Sequence, residues 1–306
     1  MIEQISTGID AVLPFQVDSL GVRGRLVRIH ETAKPLLLAD RYPAAVAALL
    51  LDTLVLTALL ASTIKYDGVF SLQIQGGGPV SLLVADARSD GDLRAYAKYD
   101  ETALDETLSK TQGLLPHLVG AGHMAFTVDQ GPDTERYQGI TELTGPTLAE
   151  SAANYFRLSE QLDTVIISAQ NSMSASQSGI AAAALMVQRL PSTEQQIDDA
   201  ADAWREAAIF AGSVKSDELL DSQLSAEDLL FRLYHESNVR VFTPQPVRYA
   251  CRCSRKRVTR TLASFPRAEV ENMRVDENIA VTCEYCGNEY VFGESDLDAL
   301  FSEIQT

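Results

Sequence analysis

The first 250 residues of this 306-residue chain contain no cysteine. Tryptophan occurs once and histidine four times, and 25 Lys and Arg face 42 Asp and Glu, for a net charge of −17. Each shortage excludes something. The deficit of cations argues against a chain that as a whole binds nucleic acid or an acidic membrane surface, which would carry the opposite sign. The opening MIEQISTGID lacks the basic and apolar regions of a secretory signal. A cytoplasmic protein with reduced thiols is therefore expected. No Walker phosphate loop is present. GGGP at Gly76–Pro79 lacks the Gly-Lys-Ser/Thr ending and reads as turn punctuation. Ser168, Ser172 and Ser174 lie in a polar stretch without a nucleophile-elbow pattern. The histidines, His30, His117, His123 and His235, are scattered. No catalytic constellation, repeat or low-complexity tract emerges, and the chain is not expected to be an enzyme.

One long apolar run imitates a membrane span: YPAAVAALLLDTLVLTALLASTIK, Tyr42 to Lys65. Asp52, Thr53, Thr57, Ser62 and Thr63 recur along it, and no second span or flanking cationic cluster accompanies it. A charge in mid-span is costly. The run therefore reads as a buried core helix with Pro43 near its first turn, where a missing N–H costs little.

Up to Pro191 the pattern is of strands with a few helices and no regular β-α repetition, which predicts an α+β domain over residues 1–191. GVFSLQIQ places Phe70, Leu72 and Ile74 on one face at period two. HMAFTVD and RYQGITEL flank a turn and predict a hairpin. Thr147 to Glu150 is a capping box opening a helix. TVIISAQ and GIAAAALMVQ read as buried strands, joined by the polar loop Ser168–Gly179. Residues 192–232 predict a helical linker. Its first helix carries an alanine-rich stripe of Ile197, Ala201, Trp204 and Ala208, and its second is capped by Ser225 and Asp228. Residues 233–306 form the cysteine region.

All four cysteines lie there: Cys251 and Cys253 in YACRCSRKRVTR, Cys283 and Cys286 in VTCEYCGNEYVF. The pattern C-x-C, 29 residues, C-x-x-C sets four thiolates on two short turns, which suits tetrahedral Zn²⁺. Gly287 suits the second turn, and Ile279–Thr282 and Tyr290–Phe292 predict its flanking strands. Between the pairs, one helix is expected from Ser254 with Val258, Leu262 and Phe265 inward. Another is expected from Pro266 with Val270 and Met273 inward. A disulfide between cysteines one residue apart closes a small ring away from ideal geometry, and strained disulfides are the labile, regulatory kind. The spacing thus leaves two roles for the metal, a staple or a holder of oxidisable thiolates. Arg252, Arg255, Lys256 and Arg257 would offset the net −2 charge of a zinc–tetrathiolate site and lower thiol pKa. The same run also fits a solvated helix face or a phosphate-binding helix.

These residues resemble the heat-shock protein 33 family of redox-regulated chaperones. The likeness extends beyond the cysteines to LLFRLYHESNVRVFTPQPVRYACRCS, to QGGGPV at Gln75–Val80 and to ESAANYFRLSEQLDT at Glu150–Thr164. The helix ALLLDTLVLTALLAS departs in detail. The resemblance implies an N-terminal α+β domain, a helical linker and a small zinc domain. It implies a cytoplasmic, ATP-independent holdase of the oxidative stress response. The reduced form would bind one Zn²⁺ through Cys251, Cys253, Cys283 and Cys286. Oxidation would release it and form the disulfides Cys251–Cys253 and Cys283–Cys286. The linker would then unfold, and the chain, typically as a homodimer, would bind unfolding client proteins. The competing expectation from the basic run is a zinc-ribbon nucleic-acid-binding regulator. A thiol–disulfide oxidoreductase using Cys283 and Cys286 lacks its usual βαβ setting.

Overall fold

Phe70, Leu72 and Ile74, alternating along one strand, are all buried. That strand (β3, Val69–Gly76) belongs to a sheet that faces a second sheet across a single helix. The computed structural model describes residues 10–37, 41–110, 115–131, 134–171, 179–191 and 197–303. The fold is α+β, and the chain divides into two units, Met1–Tyr249 and Ala250–Thr306.

In the larger unit the first sheet contains β1 (Ala11–Val17), β2 (Val22–Ile29), β8 (Thr164–Gln170), β9 (Ala182–Arg189) and β10 (Val239–Val241), in the order β10-β1-β2-β9-β8. A short β11 (Gln245–Pro246) also pairs with β1. All these pairings are antiparallel, with Val22 opposite Arg189 and Val165 opposite Val187. The second sheet has the order β12-β5-β4-β3-β6-β7. Its strands are β4 (Val80–Arg88), β5 (Asp92–Tyr99), β6 (Gly122–Asp129), β7 (Tyr137–Glu142) and β12 (Arg248–Tyr249), of which only β12 runs parallel to its neighbour. Short α1 (Lys34–Leu37), α3 (Glu101–Lys110) and α4 (Leu115–Leu118) lie at connections, and α5 (Leu148–Leu158) packs on β7 and β8.

The membrane-like run is α2 (Ala44–Ala61), and it contacts β2, β8 and β9 of one sheet and β3, β4 and β5 of the other. Every residue from Leu49 to Ala61 is buried, so the helix is apolar all round because protein surrounds it. It is the core helix of this unit, with Pro43 immediately before its first turn. Thr53 and Thr57 satisfy their hydroxyls on the carbonyls of Leu49 and Thr53, each at 2.7 Å. Asp52 accepts a hydrogen bond from Ser168 on β8 and leaves Oδ1 unpartnered.

The first sheet is apolar on both faces. Val12, Val27 and Ile29 join α2, while Leu13, Phe15, Leu26, Leu185 and Val187 face the opposite way into a second core. That second core is closed by α6 (Ile197–Gly212), α7 (Ser216–Leu219) and α8 (Ala226–Tyr234) through Ala207, Ala211, Leu219, Leu229, Leu230 and Tyr234. Ser225 caps α8 by accepting the Asp228 N–H at 3.0 Å. Arg28 of β2 reaches across to donate to the carbonyls of Leu224 and of Glu218, the latter at 2.8 Å.

Several expectations shift in register. On α6 the deepest residues are Ala207 and Ala211, while Ala201, Trp204 and Ala208 line a shallow groove beside Arg189. Close approach of a helix to a sheet favours the small residues, and the indole sits at the border. Ile197's side chain and residues 172–178 and 192–196 lie outside the described residues. The hairpin and the Thr147 cap stand as read, Thr147 accepting the Glu150 N–H at 3.1 Å. Both strands form, but β9 is buried up to Gln188 whereas β8, at the edge of the sheet, buries only Ile166 and Ala169. GGGP is the turn between β3 and β4. Gly78 lies so close to residues 118–120 that a Cβ there would meet the Leu118 carbonyl at 2.6 Å.

Burial pushes the Asp52 carboxyl up to about 6 against the Ser168 hydrogen bond. Below the ordinary value of 3.8 both folded and unfolded chains hold the proton and nothing is lost. As pH rises from there through 6 the unfolded chain ionises first, so stability falls, and above 6 the full cost stands. Asp52→Asn is expected to stabilise the fold at pH 7.5 by an amount on the order of 2 kcal/mol and to change little at pH 4. Thermal melts at the two pH values check this; an equal gain at both would remove ionisation as the cause.

Candidate metal centre

The smaller unit is built from α9 (Arg255–Leu262), α10 (Arg267–Glu271), the hairpin β13 (Ile279–Thr282) and β14 (Glu289–Phe292), and α11 (Glu294–Glu303). Its core has six buried apolar residues: Leu262, Val270, Ile279, Phe292, Leu297 and Leu300. So few large side chains leave a domain of this size marginal without a further staple. Phe265 and Met273, expected inward, are 40% and 46% exposed. Each lies beyond the end of its helix, α9 stopping at Leu262 and α10 at Glu271, so the helical stripe does not carry on to them.

Both cysteine pairs sit where the backbone turns. Cys283 and Cys286 occupy the β13–β14 connection. Cys283 N–H donates to the Asn288 carbonyl at 2.9 Å, and Gly287 N–H donates back to the Cys283 carbonyl at 2.8 Å. Gly287 has φ of +74°, a conformation that side chains with a Cβ disfavour. Cys251 and Cys253 follow β12 and precede Ser254, whose hydroxyl caps α9 by accepting the Arg257 N–H at 3.3 Å. The four sulfurs lie within 4.8 Å of one another, with Cys251–Cys283 at 3.6 Å and Cys253–Cys286 at 3.3 Å. A tetrahedral ion with four Zn–S bonds of about 2.3 Å has S···S edges of about 3.8 Å, so the cluster fits such an ion. None of the four histidines belongs to it.

Tyr290 is the functional residue that the motif did not mark. Its hydroxyl donates to Cys253 Sγ at 3.1 Å. The signal was available: period two along β14 puts Tyr290 on the same inner face as Phe292. Burial alone would raise the Cys253 thiol. The Tyr290 hydroxyl and the hydrogen bonds of the neighbouring thiols outweigh it and bring it down to about 7. Burial raises Cys251, and burial with the hydrogen bonds of the other thiols raises Cys286 well above the ordinary range. Cys253 is thus held toward the thiolate, while Cys251 and Cys286 are held toward the thiol.

The cations occupy defined places. Arg255 donates to the Val291 carbonyl at 2.8 Å, pairs with Asp296 at 3.0 Å and lies 4.3 Å over the Phe292 ring. Arg257 donates to the Arg252 carbonyl at 2.9 Å, and Lys256 is exposed at the start of α9. The thiol shifts arise from burial, Tyr290 and the other sulfurs.

Tyr290→Phe removes the hydrogen bond that favours the Cys253 thiolate. Metal affinity, measured by competition with a chromogenic chelator, is expected to fall about tenfold, the usual cost of losing a partner behind a ligand. The pH at which Cys253 becomes reactive toward an alkylating agent is expected to rise. Unchanged values for both would make the contact incidental.

Comparison with known proteins agrees with this layout. Residues 10–293 match the family described as Hsp33 protein. The chain is 38% identical over 299 residues to a 33 kDa chaperonin of Shewanella denitrificans, covering 96% of each. It is 36% identical over 286 residues to the 33 kDa chaperonin of Caulobacter vibrioides, covering 92% of this chain and 94% of the relative. The crystal structure of the 33 kDa chaperonin (heat shock protein 33 homolog) of Thermotoga maritima superposes with a TM-score of 0.76 at 21% identity, over 98% of this chain and all of that one. With its motifs, its fold and its thiol cluster in agreement, the chain belongs to the Hsp33 family of chaperones.

Proposed function

We propose that the protein is an ATP-independent holdase of the cytoplasm, silent when reduced and switched on by oxidation. The observation that carries this reading is the thiol cluster, four sulfurs within 4.8 Å inside a unit with six buried apolar residues among those described. Cys251, Cys253, Cys283 and Cys286 would hold one Zn²⁺, which supplies folding free energy to this unit. Arg252, Arg255, Lys256 and Arg257 offset the −2 charge of the tetrathiolate. Family membership supports the binding of unfolding proteins as the activity.

The switch is a loss of ligands. A peroxide or hypohalous oxidant takes two electrons from each thiolate pair, giving the disulfides Cys251–Cys253 and Cys283–Cys286, whose sulfurs no longer ligate a cation. All the sulfurs lie within one cluster, so neither bond requires the unit to open first. Without its staple the unit melts. The functional segments on this reading are a client-binding domain of residues 1–191, a cover of residues 192–232 and a switch of residues 233–306. Displacing α6–α8 bares Leu13, Phe15, Leu26, Leu185 and Val187, a continuous apolar face of the kind that captures unfolding chains. The net charge of −17 keeps such complexes apart in solution. The oxidised form is expected to be a homodimer.

Zinc content, oligomeric state and suppression of client aggregation are measured together before and after oxidant. One zinc with no activity, then none with activity and a dimer, is the expected pair of results. Equal activity in both states would reduce the metal to a staple, and salt-sensitive RNA binding by the reduced form would favour the nucleic-acid reading instead.

Arg28 gives an independent handle on the cover. Arg28→Met leaves the Leu224 and Glu218 carbonyls without their charged donor, a loss of roughly 2–4 kcal/mol. Limited proteolysis of residues 197–234 is expected to accelerate in the reduced, zinc-loaded protein, together with partial activity. Faster cleavage without activity would place the client surface elsewhere.

A further inference from the structure

Beyond the C-terminal end of α2 lies a cleft of about 740 Å³ lined by residues of both sheets. It gathers Arg23, Arg25, Lys65 and Arg88 against one carboxylate, Asp90. That is a local excess of three positive charges in a chain of net −17. Arg88 and Asp90 pair at 3.1 Å. Among the described residues the other three cations have no carboxylate partner. Arg23 and Arg25 alternate with buried Val22, Gly24 and Leu26 on β2, so the pleat places both on one face. Arg23 donates to Gln188 Oε1 at 3.3 Å. Arg25 donates one Nη1 proton to the Gly24 carbonyl at 2.9 Å, while its Nε is buried with no partner. Burial first, and then the charge of Arg23, disfavour the Arg25 cation.

We propose that this cleft is a binding site for an oligophosphate, held by Arg23, Arg25 and Lys65. The donors define the ligand. The hydroxyls of Ser62, Thr63 and Tyr66 spend their protons on the carbonyls of Leu59, Leu60 and Ala87, at 2.6, 2.7 and 3.2 Å. The charged side chains are left to donate, and guanidinium forks with an ammonium match phosphate oxygens. One carboxylate would neutralise a third of the excess, whereas a di- or triphosphate answers all of it. The volume suits a small-molecule ligand. The nearby end of α2 accounts for only about half a negative charge, and so leaves most of the excess uncompensated. The site lies wholly in the larger unit and uses no residue of the thiol cluster.

The test is titration calorimetry of the full-length, reduced, zinc-loaded protein with sodium tripolyphosphate, at about 50 and 200 mM salt. Zinc content is checked before and after, because tripolyphosphate chelates divalent ions. One site per chain that weakens with salt is expected, with affinity reduced at least about tenfold in Arg23→Ala/Arg25→Ala and about threefold in Lys65→Ala, an exposed position that folding tolerates. Arg260→Ala, on α9, is expected to change nothing. ATP in place of tripolyphosphate separates the sources: equal affinity means the phosphate chain alone is read, tighter ATP binding means a nucleotide. Absence of binding at millimolar tripolyphosphate, or variants at Arg23, Arg25 and Lys65 that bind like the parent, overturns the proposal. So does loss of binding confined to the α9 variant.

Discussion

A sheet with two apolar faces must be covered twice, and the larger unit is organised around that requirement. One face of β1, β2, β8 and β9 is closed by α2, which is itself closed on its far side by the second sheet. The other face is closed by α6, α7 and α8, which hold it through alanines, a few leucines and Tyr234. The two covers differ in kind. The first is a long helix with every residue from Leu49 to Ala61 buried and cannot leave without dismantling the core. The second contributes shorter helices and is pinned by local devices, the Ser225 cap and the Arg28 hydrogen bonds to Glu218 and Leu224. Local opening draws on elements with fewer buried contacts. On the proposed reading, α6–α8 are a removable cover over a permanent apolar face, which is what a regulated holdase requires.

The smaller unit solves the opposite problem. Six buried apolar residues among those described offer little against the entropy of ordering a unit that runs from Ala250 to Thr306. Four convergent thiols offer the missing free energy through a bound cation. They are also the groups that an oxidant reaches first, since thiolates are the nucleophiles. On the proposed reading, stability and sensitivity thus rest on the same atoms. Tyr290 adds to this by favouring the thiolate at Cys253.

Charge is distributed with a similar economy. A chain of net −17 repels itself and other acidic molecules, yet it concentrates cations at two places. On α9 they lie near four thiols, with Arg255 fixed by Asp296, Val291 and Phe292. In the cleft beside α2, Arg23, Arg25 and Lys65 have no such carboxylate among the described residues. Arg255 is thus explained within the fold; Arg23, Arg25 and Lys65 are the donors of the proposed ligand site.

By itself the sequence determined the thiol pattern, the alternation of buried strands, the helix caps at Thr147 and Ser225, and a core helix in place of a membrane span. These are short-range properties: spacing, period and the cost of Asp52 in a bilayer are written in neighbouring residues. The likeness of its motifs to a chaperone family was legible in the same way. Tertiary structure decided the rest. Which alanines of α6 face the sheet depends on how closely the helix approaches, so Ala207 and Ala211 displaced the expected Ala201 and Ala208. Phe265 and Met273 turned outward because their helices end before them. Tyr290 acquired its role only when β14 folded over the first cysteine pair, 37 residues away in sequence. The cationic cleft draws on β2, the end of α2, the β4–β5 turn and residues 244–247, far apart in the chain. Contacts between such distant segments follow from packing, which no local pattern of residues encodes.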